Sequence, residues 1–159
     1  MDFRFLNESK IETMILSFSK EIFKTLIQSG VKILTIREDK GARWEEGKTI
    51  HFWHLNPRNK SDKCNPHQFG EMTCTGTEQI TIRSTGEHSH NLSVSVNGHE
   101  LTLREIYKLA EDDGQSLEEF KDWFVGKDKP DVFEGKIVHW TDNRFGPIIN
   151  PKFIPNENI

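Results

Sequence analysis

The sequence predicts an α+β protein in which a small mixed or antiparallel β-sheet curls toward a barrel, with helices flanking its openings. Segments of strand-like composition outnumber helical segments and do not alternate with them one for one, which excludes a doubly wound parallel sheet. Asn97-Gly98 separates two short apolar segments and predicts a tight hairpin. Sequences of the capping-box type at residues 102–105 and 116–119 predict two short helices.

The N-terminal part is predicted as one helix followed by two strands. Apolar residues recur at three- and four-residue spacing over residues 8–29, so this stretch predicts an amphipathic helix that ends at Gly30. Residues 31–37 are rich in β-branched side chains and predict a strand, and the aromatic-rich residues 48–55 predict a second one. The polar residues 38–47 between them predict a loop.

The rest of the chain is predicted to hold most of the strands and both capped helices. Residues 56–70 carry two prolines and several charges, and predict a long loop. The remaining elements are a strand over residues 71–83, kinked at Gly76, and a hairpin over 92–101. They are followed by helices over 102–112 and 116–124, a loop over 126–135 and a closing strand over 136–141.

Length and composition indicate one domain. Only 34% of the 159 residues are hydrophobic, but eleven Phe and four Trp supply enough bulk for a core. No apolar run approaches the roughly 20 residues that a membrane span needs, and two cysteines do not make a disulfide framework. We therefore expect a cytoplasmic protein without membrane contact and without a cofactor. Residues 1–142 are expected to form the domain, and residues 143–159, rich in Pro and Asn, a tail.

Charge is distributed unevenly along the chain. The net charge of −4 argues against a protein that coats nucleic acid by charge alone. Residues 32–63 carry a net charge of +3, whereas residues 64–159 carry −7 and residues 1–31 balance. An anion-binding surface is therefore expected in the segment 32–63.

The metal-ligating side chains do not form a known zinc framework. Cys64 and His67 are three residues apart, and the next cysteine, Cys74, stands alone. His51 and His54 lie on a predicted strand, where residues three apart point to opposite faces. We therefore expect no metal site.

Residues 30–37, Gly-Val-Lys-Ile-Leu-Thr-Ile-Arg, contain the residue types of a nucleophilic site. Strand alternation places Thr35 and Arg37 on one face, and Lys32 joins them only if the turn at Gly30 swings it round. Burial lowers the pKa of a lysine, and a neutral amine can take the proton of a threonine hydroxyl. Alternatively, Lys32 is solvated, Thr35 is a strand former, and Arg37 pairs with a neighbouring acidic residue.

The pattern Gly30-x-Lys32-x-x-Thr35-x-Arg37, after an amphipathic helix and before the aromatic-rich strand, resembles the ASCH domain of the PUA-like superfamily. The usual family motif has Glu where this chain has Thr35. The resemblance covers roughly residues 22–141. It implies a small PUA-like β-barrel with helices beside a cleft, and binding of RNA or a nucleotide-like ligand in that cleft.

One small branch of this family consists of amidohydrolases that act on N4-acetylcytidine. Its working residues are a Lys, a Thr three residues later and a Glu in the later helical region. Lys32 and Thr35 match the first two, and Asp113 is the best match for the third, with Glu111 and Asp112 as alternatives. The resemblance then implies Lys32 as base, Thr35 as nucleophile and Asp113 as the acid that protonates the departing amine. The oxyanion would be stabilised by an arginine of the motif or a backbone N–H.

Three functions remain open at this level, in order of preference. The first is a module that binds RNA, a nucleotide or a modified nucleoside; the second is the N4-acylcytidine amidohydrolase; the third is a protein-binding adaptor with a vestigial cleft. In the module, cationic side chains meet phosphates and one aromatic ring stacks on a base. The cations are Lys32, Arg37, Arg43 and Arg58, and the ring is Trp44, Phe52 or Trp53. Core packing is the preferred interpretation for Phe52, Trp123 and Trp140.

Overall fold

The structure is a computed structural model that describes residues 13–41, 43–58 and 65–147. Over these residues it contains eight strands and three helices, which confirms the α+β class. No helix in these ranges has the length and apolar character needed to cross a membrane. The elements in chain order are β1 (Thr13–Phe18), α1 (Glu21–Gln28), β2 (Leu34–Arg37), β3 (Thr49–His54), β4 (His67–Thr73), β5 (Gly76–Ser84), β6 (Leu92–Val96), β7 (His99–Glu100), α2 (Leu103–Asp112), α3 (Leu117–Val125) and β8 (Val132–His139).

The strands pair in two separate sheets. In the three-stranded sheet, β3 is central, parallel to β1 and antiparallel to β4. The five-stranded sheet has the order β2-β8-β5-β6-β7, and all of its pairs are antiparallel. Among the described strands no pairing joins the two sheets, so hydrogen bonds do not close them into the barrel that the sequence predicts.

The prediction of one helix over residues 8–29 is wrong for its middle part. Residues 13–18 form β1, and within the described residues 13–29 the helix covers only 21–28. In β1 the side chains of Met14, Leu16 and Phe18 are buried and alternate with more exposed ones, which is the period of a strand. The same apolar residues also fit helical spacing, and pairing with β3 decides for the strand. Residues before 13 lie outside the described part.

Several other boundaries differ from the prediction, and β2 begins at Leu34 rather than at residue 31. The single strand over residues 71–83 is two strands, β4 and β5, that belong to different sheets and are separated by Cys74 and Thr75. The closing strand begins at Val132, inside the predicted loop 126–135, because its whole length pairs with β5. β4 begins at His67, within the predicted loop 56–70.

The local turn and capping signals are confirmed. Asn97 and Gly98 have φ angles of 48° and 81°, as the tight hairpin requires. Thr102 accepts a hydrogen bond from the Glu105 backbone N–H, while the Glu105 side chain accepts from the Thr102 backbone. An identical box involving Ser116 begins α3.

The five-stranded sheet has an apolar core on each of its faces at β8. Ile137 packs with helices α2 and α3, and its neighbour Val138 packs with the three-stranded sheet. Phe52 and Trp140 lie in the second core, as expected, with ring centroids 4.8 Å apart. Trp123 is 44% exposed, so its assignment to the core is wrong.

The described start of the predicted tail is bonded to the five-stranded sheet. The backbone N–H groups of Phe145 and Gly146 donate to the Glu78 carboxylate at 3.0 and 2.8 Å. The buried His139 lies 2.7 Å from the same carboxylate. Burial acts to raise the pKa of Glu78, but these hydrogen bonds outweigh it and lower the pKa. The rest of the predicted tail, residues 148–159, lies outside the described part of the chain.

Candidate functional site

A cavity of about 600 Å³ lies where the two sheets and the helices meet. The end of β1, strand β2, the connection between α2 and α3, helix α3 and residues 129–134 all contribute to its lining. Lys32, Thr35, Arg37 and Asp113 are among the lining residues. The cavity therefore brings together the three predicted catalytic residues and one of the predicted ligand-binding residues.

Lys32 lies in a turn before β2, so strand alternation does not govern its direction. Gly30 has a φ of 80°, and the backbone N–H groups of Val31 and Lys32 both donate to Leu26 O at 2.9 Å. The next residue, Ile33, donates its N–H to Asp112 O at 2.9 Å. The turn at the glycine therefore does swing Lys32 toward the end of α2, and the solvated alternative for Lys32 is wrong.

Lys32 and Asp113 form a buried ion pair at the cavity wall. Lys32 Nζ lies 2.5 Å from Asp113 Oδ1 and donates to Asp113 O at 2.6 Å. Their side chains are 2% and 3% exposed. Lys32 Nζ also lies 4.8 Å from the centre of the Phe23 ring. Of the three acidic residues considered, Asp113 alone lines the cavity: Glu111 is exposed, and Asp112 bonds to other side chains.

Burial pushes both members of this pair toward their uncharged forms. It lowers the pKa of Lys32, and the attraction of Asp113 only partly opposes this. It also raises the pKa of Asp113, against the effects of Lys32, Gln115 and Arg37. The amine is therefore easier to deprotonate, and the carboxyl group easier to protonate, than either would be in water.

Thr35 and Arg37 share one face of β2, as predicted. Thr35 is 4% exposed, and its Oγ1 accepts a hydrogen bond of 3.4 Å from Arg37 Nε. Arg37 Nη2 donates to Ser17 O at 2.8 Å, and its guanidinium carbon lies 5.0 Å from the Phe18 ring centre. Among the described hydrogen bonds, none links Thr35 Oγ1 directly to Lys32 Nζ. Both residues line the same cavity.

Three residues predicted to bind ligand do not line the cavity. Trp44 is 2% exposed, packs in the second core and donates its Nε1–H to Glu38 O at 3.1 Å, so it is not available to stack on a base. Arg43 is exposed and stacks over the Trp44 ring at 4.3 Å. Arg58 is exposed on the segment after β3. The four predicted cationic ligands are therefore divided, because Lys32 and Arg37 line the cavity whereas Arg43 and Arg58 are exposed outside it.

Trp123 and Gln115 line the cavity but were not identified as site residues from the sequence. The ammonium groups of Lys20 and Lys129 lie 5.4 and 4.9 Å from the centre of the Trp123 ring. Trp123 lies off the helical stripe formed by the buried apolar residues of α3, and this position in the helical pattern could have predicted its exposure. Gln115 lies in the short connection between the two capped helices, a position that the capping boxes predict.

Within the ranges that the structure describes, no three His, Cys, Asp or Glu side chains are grouped to hold a metal ion. His51 pairs with Glu71 at 3.2 Å, whereas the His54 ring lies 5.4 Å from the ring of His67. Cys64 lies outside the described residues.

A scan against protein-family models, a search of curated proteins and a search of solved structures each found no match to this chain. The function is therefore argued from the residues and the geometry of the cavity.

Gly114 is predicted to be essential for the position of Asp113. Its φ is +79°, and a Cβ there would lie 3.0 Å from Leu26 Cδ1 and 3.4 Å from Lys32 Cβ. We expect Gly114→Ala to lower the free energy of unfolding by about 1–2 kcal/mol for the backbone and about 1–3 kcal/mol for the crowding. Chemical denaturation of this variant measures the sum of the two contributions.

Gly98→Ala is the matched control, because Gly98 has a φ of +81° and a Cβ there meets nothing within 4 Å. It is expected to incur the backbone cost alone. Equal losses in the two variants would contradict close packing of Gly114 against Leu26.

Proposed function

We propose that this chain is an amidohydrolase that cleaves N4-acylated cytidine or a closely related small amide in the cavity, and that it is an ASCH-like protein of the PUA type. The main support is the buried contact of 2.5 Å between Lys32 and Asp113 in a cavity also lined by Thr35. The composition of the cavity lining favours the hydrolase over the binding module, because Arg43, Trp44 and Arg58, which the module would use, do not line the cavity.

In the first step, Thr35 Oγ attacks the acyl carbon of the amide. Lys32 in its amine form accepts the hydroxyl proton, directly or through the bound ligand or a water. Arg37 Nε donates to Thr35 Oγ1, so one lone pair of the hydroxyl is engaged and its proton is directed elsewhere. The positive guanidinium also favours the alkoxide and the oxyanion that develops beside it.

The proton then moves to the leaving group. Because Lys32 Nζ and Asp113 Oδ1 are 2.5 Å apart, a proton accepted by the amine can pass to the Asp113 carboxylate, which becomes the acid. Asp113 delivers it to the nitrogen as the C–N bond breaks, and the free amine departs. The acyl group remains as an ester of Thr35.

A water molecule completes the cycle. It attacks the ester carbon, the C–O bond to Thr35 breaks, and the carboxylic acid leaves while Thr35 recovers its proton. Overall, one amide and one water give one amine and one carboxylic acid. Lys32 accepts the proton in its uncharged amine form, and Asp113, once it has received that proton, delivers it in its uncharged acid form; burial favours each of these forms.

The direct test is incubation of the purified protein with N4-acetylcytidine, followed by chromatography for cytidine and acetate. We expect turnover that rises with pH through a limb below the ordinary lysine pKa of 10.5, because burial lowers the pKa of Lys32. This limb belongs to the coupled pair with Asp113. Failure to release cytidine at any pH at which the protein is folded would refute the proposal for this substrate.

The binding module stays as a second candidate because of one observation. Trp123 presents a 44% exposed ring at the cavity, with Lys20 and Lys129 nearby. Base stacking on aromatic side chains is worth about 1–3 kcal/mol per base, and the lysines suit phosphates. Titration with a short single-stranded RNA at several salt concentrations tests it, and an affinity independent of salt would contradict it.

A further inference from the structure

We propose that Gln115 is a positioning residue for the proton transfer: its amide group orients the Asp113 carboxyl group so that Oδ1, the oxygen beside Lys32, carries the proton. The consequence for hydrolysis rests on the proposed function. The orientation of Asp113 rests on the contacts of Gln115 alone, and it can be measured in a protein that has no activity.

The backbone of Gln115 is fixed in the short connection between α2 and α3. Its N–H donates to Ala110 O at 2.9 Å, in the last turn of α2. The N–H of Asp113 donates to Leu109 O at 3.0 Å in the same turn. The residue after Gln115, Ser116, is the N-cap of α3 and forms the capping box that begins that helix. The ends of two helices therefore hold Asp113 and Gln115 beside each other.

The two oxygens of the Asp113 carboxyl group have different partners. Lys32 Nζ lies 2.5 Å from Oδ1, and Gln115 Nε2 donates to Oδ2 at 2.9 Å. Gln115 is only 8% exposed and Asp113 is also buried, so water does not compete freely for this contact. A hydrogen bond in such surroundings is stronger than one in water. The carboxyl group is therefore held from both sides.

This arrangement determines which oxygen carries a proton. The Nε2 group of Gln115 supplies donors only. A proton on Oδ2 would face these donors and break the hydrogen bond from Gln115. A proton on Oδ1 keeps that bond and faces the uncharged Lys32 amine, whose nitrogen has a lone pair. Oδ1 of Asp113 is therefore the oxygen that receives the proton from Lys32 and delivers it to the leaving group.

The hydrogen bond from Gln115 also keeps Asp113 able to accept that proton. Such a bond is stronger to a carboxylate than to an uncharged carboxyl group. Together with the positive charges of Lys32 and Arg37, it acts to lower the pKa of Asp113, against the larger effect of burial, which raises the pKa. Without this hydrogen bond, Asp113 would keep its own proton to higher pH and could not receive the one from Lys32.

The first test needs no variant, so it does not depend on the folding of a mutant. Carbon-13 NMR follows the side-chain carboxyl carbon of Asp113 over the pH range in which the wild-type protein is folded, and nitrogen-15 NMR follows the side-chain amide of Gln115. We expect the two signals to change with the same midpoint, because protonation of the carboxylate weakens the hydrogen bond that it accepts. A Gln115 amide that does not respond while Asp113 titrates would overturn the proposal.

The second test replaces Gln115 with methionine, which has a similar shape but no donor. We expect Asp113 to be half protonated about one pH unit higher, because a hydrogen bond to a charged group is worth more than one to an uncharged group. Gln79→Met is the matched control, because Gln79 is exposed on β5, outside the cavity lining. Its Asp113 titration is expected to match that of the wild-type protein.

Hydrolysis of N4-acetylcytidine tests the role of Gln115 in proton transfer. In Gln115→Met we expect the rising limb of the pH profile to move to higher pH, and kcat below that limb to fall about 10-fold. KM is expected to change little, because Gln115 acts through Asp113.

The outcomes separate this role from the proposed reaction. The same protonation of Asp113 at every pH in the wild-type and Gln115→Met proteins would overturn the role of Gln115, even if N4-acetylcytidine is hydrolysed. A shifted Asp113 titration with an unchanged kcat profile would overturn it as well. A shifted titration in a protein that does not hydrolyse N4-acetylcytidine would support the positioning of Asp113 and refute the proposed reaction.

Discussion

Replacing Lys32 with methionine is expected to slow hydrolysis of N4-acetylcytidine by about 10²- to 10⁴-fold, the usual contribution of a general base. Methionine fills a similar volume but cannot accept a proton, so Thr35 would keep its hydroxyl proton. The initial rate of cytidine release measures this effect. Lys40→Met is the matched control, because the Lys40 side chain is 88% exposed and pairs with Glu38 at the surface.

The Lys32 variant also tests the ion pair. Removing one partner of a buried pair typically costs about 3–5 kcal/mol, because the other charge is left uncompensated. The raised pKa of Asp113 allows that carboxyl group to become neutral, so the loss is expected at or below the lower end of this range. Adding Asp113→Asn to Lys32→Met is expected to restore part of the stability but none of the activity.

A folded Lys32→Met protein with near wild-type turnover would contradict the assignment of Lys32 as the base. Circular dichroism and the unfolding midpoint establish whether the variant is folded. Loss of activity shared equally by Lys40→Met would point to a general effect of removing surface charge, which the proposed mechanism does not predict.

Local signals predicted much of the fold, because they act over a few residues. The hairpin at Asn97 and the capping boxes at Thr102 and Ser116 depend on backbone hydrogen bonds within four residues, and all three occur as expected. β1 was missed for the opposite reason. Its partner is β3, more than thirty residues later, and its apolar residues fit a helix equally well.

In the candidate site, too, the local features could be predicted from the sequence and the long-range contact could not. Thr35 and Arg37 are on one face because strand geometry alone places them there. The contact of Lys32 with Asp113 spans 81 positions and depends on the turn at Gly30 and on the end of α2, so spacing could suggest it only through a family resemblance. Trp44 was misjudged because its loop is charged, whereas its ring packs in the core.

Replacing Thr35 with valine is expected to abolish turnover, whereas Thr35→Ser is expected to retain part of it. Valine keeps the shape of threonine at this buried position but lacks the nucleophilic oxygen. Serine keeps the oxygen and loses a methyl group. The free energy of unfolding of the valine variant is expected to fall by only about 0.5–1.5 kcal/mol, for the lost hydrogen bond from Arg37.

Mass spectrometry distinguishes a nucleophile from a residue that merely shapes the cavity. After rapid acid quenching of the reaction, we expect an acetyl group on Thr35 of the wild-type protein and none in Thr35→Val. Thr81→Val is the control, because it makes the same chemical change on a strand. Thr81 lies on β5, outside the cavity lining. Turnover by Thr35→Val would exclude Thr35 as the nucleophile and favour water, activated by Lys32, as the attacking group.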